Sequence, residues 1–174
     1  MPKISQIKKP GTNSRPGILK EVNKLDTIRF YGFKELKTAL SYAKQQKKNI
    51  LLIFSGWGCV STRGTEWKTI AESGLKDYIQ ENFILLWLPV DDKTILEKPY
   101  FAKQSGNDVY IETIGKENSN LQINLTNTNS QPLLCFIDTN IDRVGSLYYK
   151  TFCQDKIEFE KFIKSGIKNK ANCG

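Results

Sequence analysis

Three short apolar runs, NILLIFS from Asn49, FILLWLPVDD from Phe83 and QPLLCFID from Gln131, limit most strongly what this chain can fold into. Each is continuous rather than alternating and too short for a typical buried helix. Each therefore reads as an apolar strand, NILLIFS as a central one covered on both faces, FILLWLPVDD as a second buried strand that Asp91 and Asp92 take out to solvent, and QPLLCFID as a third opened by Pro132. Between and around them the pattern changes. FKELKTALSYAKQQKK repeats apolar residues at Phe33, Leu36, Leu40 and Ala43, a helical stripe with a lysine-rich outer face. From Val60 to about Gln80 a second helical pattern places Trp67, Ile70 and Ile79 inward, with a break expected near Gly74. EVNKLDTIRFYG predicts a short edge strand around Ile28 to Tyr31.

After the second run, the section from Lys93 to Gln131 is the least regular. VYIETI adds a strand or hairpin arm, and ENSNLQINLTNTNSQ is a polar run, in which the Asn124-Leu-Thr sequon reads as a chance match in a loop. Stretches of this length between core elements are usually functional or mobile. The third run turns through DTNID into RVGSLYYK as a hairpin. Asp155 and Glu158 then form a capping box for a last helix whose inner face is Phe159, Phe162, Ile163 and Ile167. Alternating elements followed by a closing hairpin define an α/β chain with a mixed sheet.

Composition excludes much chemistry. The 174 residues contain no histidine, which removes Ser-His and Cys-His catalysis, the common zinc sets and an imidazole pH switch. With 39% apolar and 11% aromatic residues, the chain buries a sizeable core without metal or disulfide staples. Cys59, Cys135, Cys153 and Cys173 are too widely spaced for a zinc ribbon, and their number leaves the redox compartment open. The net charge of +8 is spread over the opening arm, the helix faces and the C-terminus without a recognition motif, which argues against specific nucleic-acid binding. No run approaches the ~20 apolar residues of a membrane span, and Met1 to Lys20 lacks the apolar core of a secretory signal. The expected organisation is an arm or linker over 1–24, one domain over 25–170 and a tail over 171–174, with neither metal nor cofactor and a monomeric state.

The remaining motif is FSGWGCVSTRGTEW, where an apolar strand bends through Gly56 and Gly58 to a cysteine at a helix start. Cys59 there would face unpaired backbone amides and the positive end of the helix dipole. Both favour the thiolate and lower the thiol pKa. Dithiol exchange needs a second thiol beside the first, and the residue three places on is Thr62. Its hydroxyl can hydrogen-bond the sulfur but cannot resolve an adduct. Cys59 reads alternatively as a small buried hydrophobe, and Trp57 either covers the sulfur or anchors the core with Trp67 and Trp87. Cys135 reads as core.

In the motif KKNILLIFSGWGCV, with Arg63 and Glu66 after it, in FILLWLPVDDK and in SQPLLCFID, the chain resembles the C-terminal thioredoxin-like domain of thiol:disulfide interchange proteins, the DsbD-like reductases, over roughly Phe33 to Lys168. The resemblance implies a thioredoxin-like fold, a mixed central sheet flanked by helices with an insertion before the strand that follows a cis-proline, here Pro132. It implies that Trp57, Gln131 and Pro132 frame the substrate beside Cys59, with protein thiols or disulfides, or a small thiol, as partners. It also implies a periplasmic or otherwise extracytoplasmic location. With Pro132 beside Cys59, the strand would carry Cys135 about 10 Å away, beyond the ~7 Å reach of a disulfide. The chain departs from the family at Thr62, where the second cysteine stands, at Ile53, where a buried acid stands, and at Gly58, which replaces a tryptophan. Two readings follow: a monothiol oxidoreductase acting through Cys59 mixed disulfides, and a non-catalytic module that binds a protein or peptide.

Overall fold

The computed structural model describes residues 36–56, 70, 73–149 and 156–167. In chain order the elements are α1 (Leu36–Gln46), β1 (Asn49–Ser55), α2 (Lys76–Asn82), β2 (Phe83–Pro89), β3 (Ile95–Gln104), β4 (Asn107–Thr113), α3 (Ile114–Thr126), β5 (Leu133–Ile137), β6 (Arg143–Tyr148) and α4 (Lys156–Ser165). The expected edge strand at Ile28 to Tyr31, the segment from Trp57 to Trp67 with Cys59 and Thr62, and the Asp155 cap lie outside the described residues.

The three apolar runs form adjacent strands of a four-stranded sheet in the order β2-β1-β5-β6, with β1 and β5 inside it and β2 at one end among the described residues. β1 runs parallel to β2 and antiparallel to β5, and β5 runs antiparallel to β6. With helices on both faces, this is a thioredoxin-like α/β arrangement. Period-two alternation explains why the runs are apolar throughout. Leu51, Ile53, Leu85, Trp87, Leu134 and Phe136 face a layer completed by Ile79 of α2 and by Phe159, Phe162 and Ile163 of α4. Their neighbours Leu52, Phe54, Leu86, Leu88, Leu133 and Cys135 face Ala39 and Ala43 of α1 and Leu121 and Leu125 of α3. The small alanines of α1 are fully buried, so this helix lies close to the sheet.

The helical break is present as a Ser73–Gly74 turn before α2. Two expectations are corrected. Ile167 does not join the inner face of the last helix, because α4 ends at Ser165, and Ile167 is 41% exposed. The polar run after VYIETI is no irregular loop, because most of it is α3. Thr113 caps this helix by accepting a hydrogen bond from the Lys116 amide at 3.2 Å, and Asn127 closes it in the left-handed region. Asn124 accordingly sits on a helix, its Nδ2 donating to the Lys103 carbonyl at 2.9 Å.

The insertion between β2 and β5 also contains β3, which pairs with β4 as a two-stranded hairpin. Its Phe101 and Tyr110 rings lie 5.1 Å apart, and Lys103 pairs with Asp108 at 2.9 Å across the strands. The register shifts between Ile95 and Tyr100, a stretch that includes Pro99, which has no N–H to donate.

Candidate functional site

The strand register brings the candidate residues together. β1 pairs Phe54 with Leu133, so two residues further along antiparallel strands Gly56 comes opposite Gln131. On its other side, Ser55 pairs with Pro89, and the Val90 amide donates to the Ser55 carbonyl at 2.9 Å, which extends the contact past the end of β2. Asp91 is thereby carried to the same point. A Cβ on Gly56 would lie 3.0 Å from Asp91 Oδ2 and 3.4 Å from Gln131 Oε1. Only a residue without a side chain lets the carboxylate and the amide close over the end of β1 unshifted.

Beneath this point Ser55 is buried, and its Oγ accepts a 2.8 Å hydrogen bond from Trp87 Nε1. The Gln131–Pro132 peptide bond is cis, with Pro132 buried and Gln131 exposed. Of the site residues expected from sequence, Gln131 and Pro132 thus stand at the end of β1. Trp57, Cys59 and Thr62 lie outside the described residues. Ile53 is fully buried in the apolar layer with Leu51 and Trp87.

In the sequence, Asp91 at the end of FILLWLPVDD reads only as a residue that takes the strand out to solvent. Extending the parallel register of NILLIFS and FILLWLP past Ser55 and Pro89 would have found it at the site. Cys135 is fully buried, and burial pushes its thiol up to about 12, with Arg143 acting weakly in the opposite direction. Among the described residues, no group of three or more His, Cys, Asp or Glu side chains is placed to hold a metal. None of their helices is long and apolar enough to cross a membrane.

A concavity of about 700 Å³ opens between α1, the hairpin and α3, lined by Leu36, Leu88, Pro89, Leu96, Tyr100 and Asn118 among others. Tyr100 Oη donates to Glu117 Oε1 at 2.9 Å, and Asn118 Nδ2 donates to the Pro89 carbonyl at 2.8 Å. Partial burial, then Glu117, pushes the Tyr100 phenol up to about 12. The first bond ties the hairpin to α3, and the second ties α3 to the end of β2.

No protein-family model matches the chain. No curated protein matches it either. Among solved structures it is similar to a DsbH oxidoreductase, with 17% identity and a TM-score of 0.48 over 92% of this chain and 94% of that one. It is also similar to a thioredoxin-fold protein from Helicobacter pylori, with 22% identity and a TM-score of 0.38 over 58% of each chain. The fold itself rests on the strand order and directions described above.

Proposed function

We propose that the protein is a thioredoxin-like thiol:disulfide oxidoreductase of monothiol type that acts through mixed disulfides at Cys59, in the manner of the DsbD-like domains it resembles. The observation that carries this reading is the convergence of Gly56, Asp91 and Gln131 at the end of β1. Cys59 follows Gly56 by three residues, a length of chain that reaches at most about 11 Å.

In the proposed reaction the Cys59 thiolate attacks one sulfur of a partner disulfide. The partner S–S bond breaks, a Cys59–partner disulfide forms, and the second partner sulfur leaves as a thiolate that takes a proton from solvent. Because Thr62 has no sulfur to resolve the adduct, an external thiolate, from a small molecule or a protein, attacks the partner sulfur of the mixed disulfide: the Cys59–partner bond breaks, Cys59 leaves as a thiolate, and the external sulfur becomes disulfide-bonded to the partner. A second external thiol then frees the partner as its dithiol, so two external thiols are oxidised to one disulfide and supply the two electrons. Trp57, Gln131 and Pro132 frame the partner, and the Thr62 hydroxyl donates to the Cys59 sulfur. An extracytoplasmic location accords with this chemistry.

The test is pH-dependent alkylation of Cys59 in the folded protein. The expected apparent pKa lies below the ~8.5 of free cysteine. A value at or above it, or no modification at all, would overturn the proposal.

One observation favours a second reading, a non-catalytic module that binds a protein or peptide. Ile53 fills with hydrocarbon the place where the resembled family carries its buried acid. On this reading Cys59→Ser leaves partner binding unchanged, and capture of a partner only as a dithiothreitol-sensitive adduct refutes it.

A further inference from the structure

The inner side of α3 carries two different rows. Leu121 and Leu125 pack against the apolar layer that includes Leu86, Leu88 and Leu133. Four residues apart, Asn118, Gln122 and Thr126 form a second row that is buried although polar. Each member of this row bonds main chain. Asn118 Nδ2 donates to the carbonyl of Pro89, the last residue of β2, at 2.8 Å. Gln122 Nε2 donates to the Ser130 carbonyl at 2.7 Å, and Thr126 Oγ1 donates to the carbonyls of Gln122 at 2.7 Å and Thr128 at 3.2 Å.

One helix therefore holds Ser130, directly before Gln131, and Pro89, two residues before Asp91. Gln131 and Asp91 are the two residues that close over Gly56. Gln122 is fully buried, and its Oε1 has no hydrogen-bond partner among the described residues. Leaving an acceptor buried and unpaired is a cost that methionine or leucine would avoid, so the amide is kept for its donor.

We infer that Gln122 is a positioning residue that sets Gln131 and Pro132 against the end of β1. The consequence for partner binding rests on the thiol-exchange reading above; the consequence for the loop does not.

The experiment uses the full chain and compares wild type, Gln122→Met and Leu121→Ala. Hydrogen exchange is followed over 127–133, together with thermal unfolding. Reaction of Cys59 with a short peptide whose cysteine is activated as a thionitrobenzoate disulfide is followed by release of the chromophore. Gln122→Met should speed exchange in the loop about fivefold, the effect of one hydrogen bond. It should also raise the half-saturating peptide concentration about fivefold with the limiting rate unchanged. Leu121→Ala should lower the unfolding temperature without either effect.

The inference is overturned if loop exchange in Gln122→Met matches wild type, if the limiting rate falls with half-saturation unmoved, or if Leu121→Ala reproduces both changes. Should the methionine variant not fold, Gln122→Asn, whose amide stops one methylene short of Ser130, is judged by the same outcomes. If wild type forms no adduct, the thiol-exchange reading fails, and loop exchange alone decides the role of Gln122.

Discussion

Cys135 lies on the strand that follows Gln131 and Pro132, yet it has no part in thiol chemistry. It sits across from Leu52 inside an apolar layer, where a charged sulfur would lose its solvation. Its pKa is pushed from 9.0 to about 12, chiefly by burial, so the neutral form belongs to the folded state. The unfolded chain releases this proton first as pH rises, and binds fewer protons than the native state between those two values. Stability should be unaffected by this thiol below pH 9.0, fall as pH climbs toward 12, and fall less steeply in Cys135→Ala. Urea unfolding of both proteins across that range checks it, and parallel curves would refute it. The core placement of Cys135 was legible from its position in PLLCFI. The role of Asp91 was not, since an acid at a strand end reads as solvent-facing until the neighbouring strand is known.

Among the elements, α3 separates local from tertiary signals most clearly. Helices are found in sequence by an apolar stripe, and the buried row of α3 at Asn118, Gln122 and Thr126 is polar because it bonds main-chain carbonyls at the end of β2 and in the loop before β5. β3 escaped notice for a related reason. Most of its residues are exposed, and its strand conformation comes from pairing with β4. The first turn of α3 packs directly on the chain leaving β2. A Cβ on Gly115 would lie 2.6 Å from the Asp92 amide nitrogen and 2.8 Å from the Val90 carbonyl oxygen. Neither backbone atom can turn aside as a side-chain tip can, so Gly115→Ala should destabilise the protein by about 2 kcal/mol, within the range of overpacking. Urea denaturation measures this, and a loss under about 0.5 kcal/mol, the level of an ordinary surface change, would show that α3 docks with room to spare.

At the scale of the whole sheet, two apolar layers lie on opposite faces with no side chain in common among the described residues, one under α2 and α4 and one under α1 and α3. Ile163 belongs to the first and Ile50 to the second. Ile163→Val and Ile50→Val should each cost about 1 kcal/mol, and together about 2, because neither vacated methyl site borders the other. A coupling above about 0.5 kcal/mol in the double variant would mean that the layers relax together. What the amino-acid order determined by itself is the three apolar strands, α1, α4 and the α/β class. Those features follow from hydrophobic period and turn residues within a dozen neighbours, and NILLIFS needs no partner to declare itself buried on both faces. Only the tertiary structure decided that Gly56, Asp91 and Gln131 meet, and that a polar helix braces them. Their meeting depends on strand register and on hydrogen bonds to main-chain carbonyls, which leave no periodic mark on the side chains that make them.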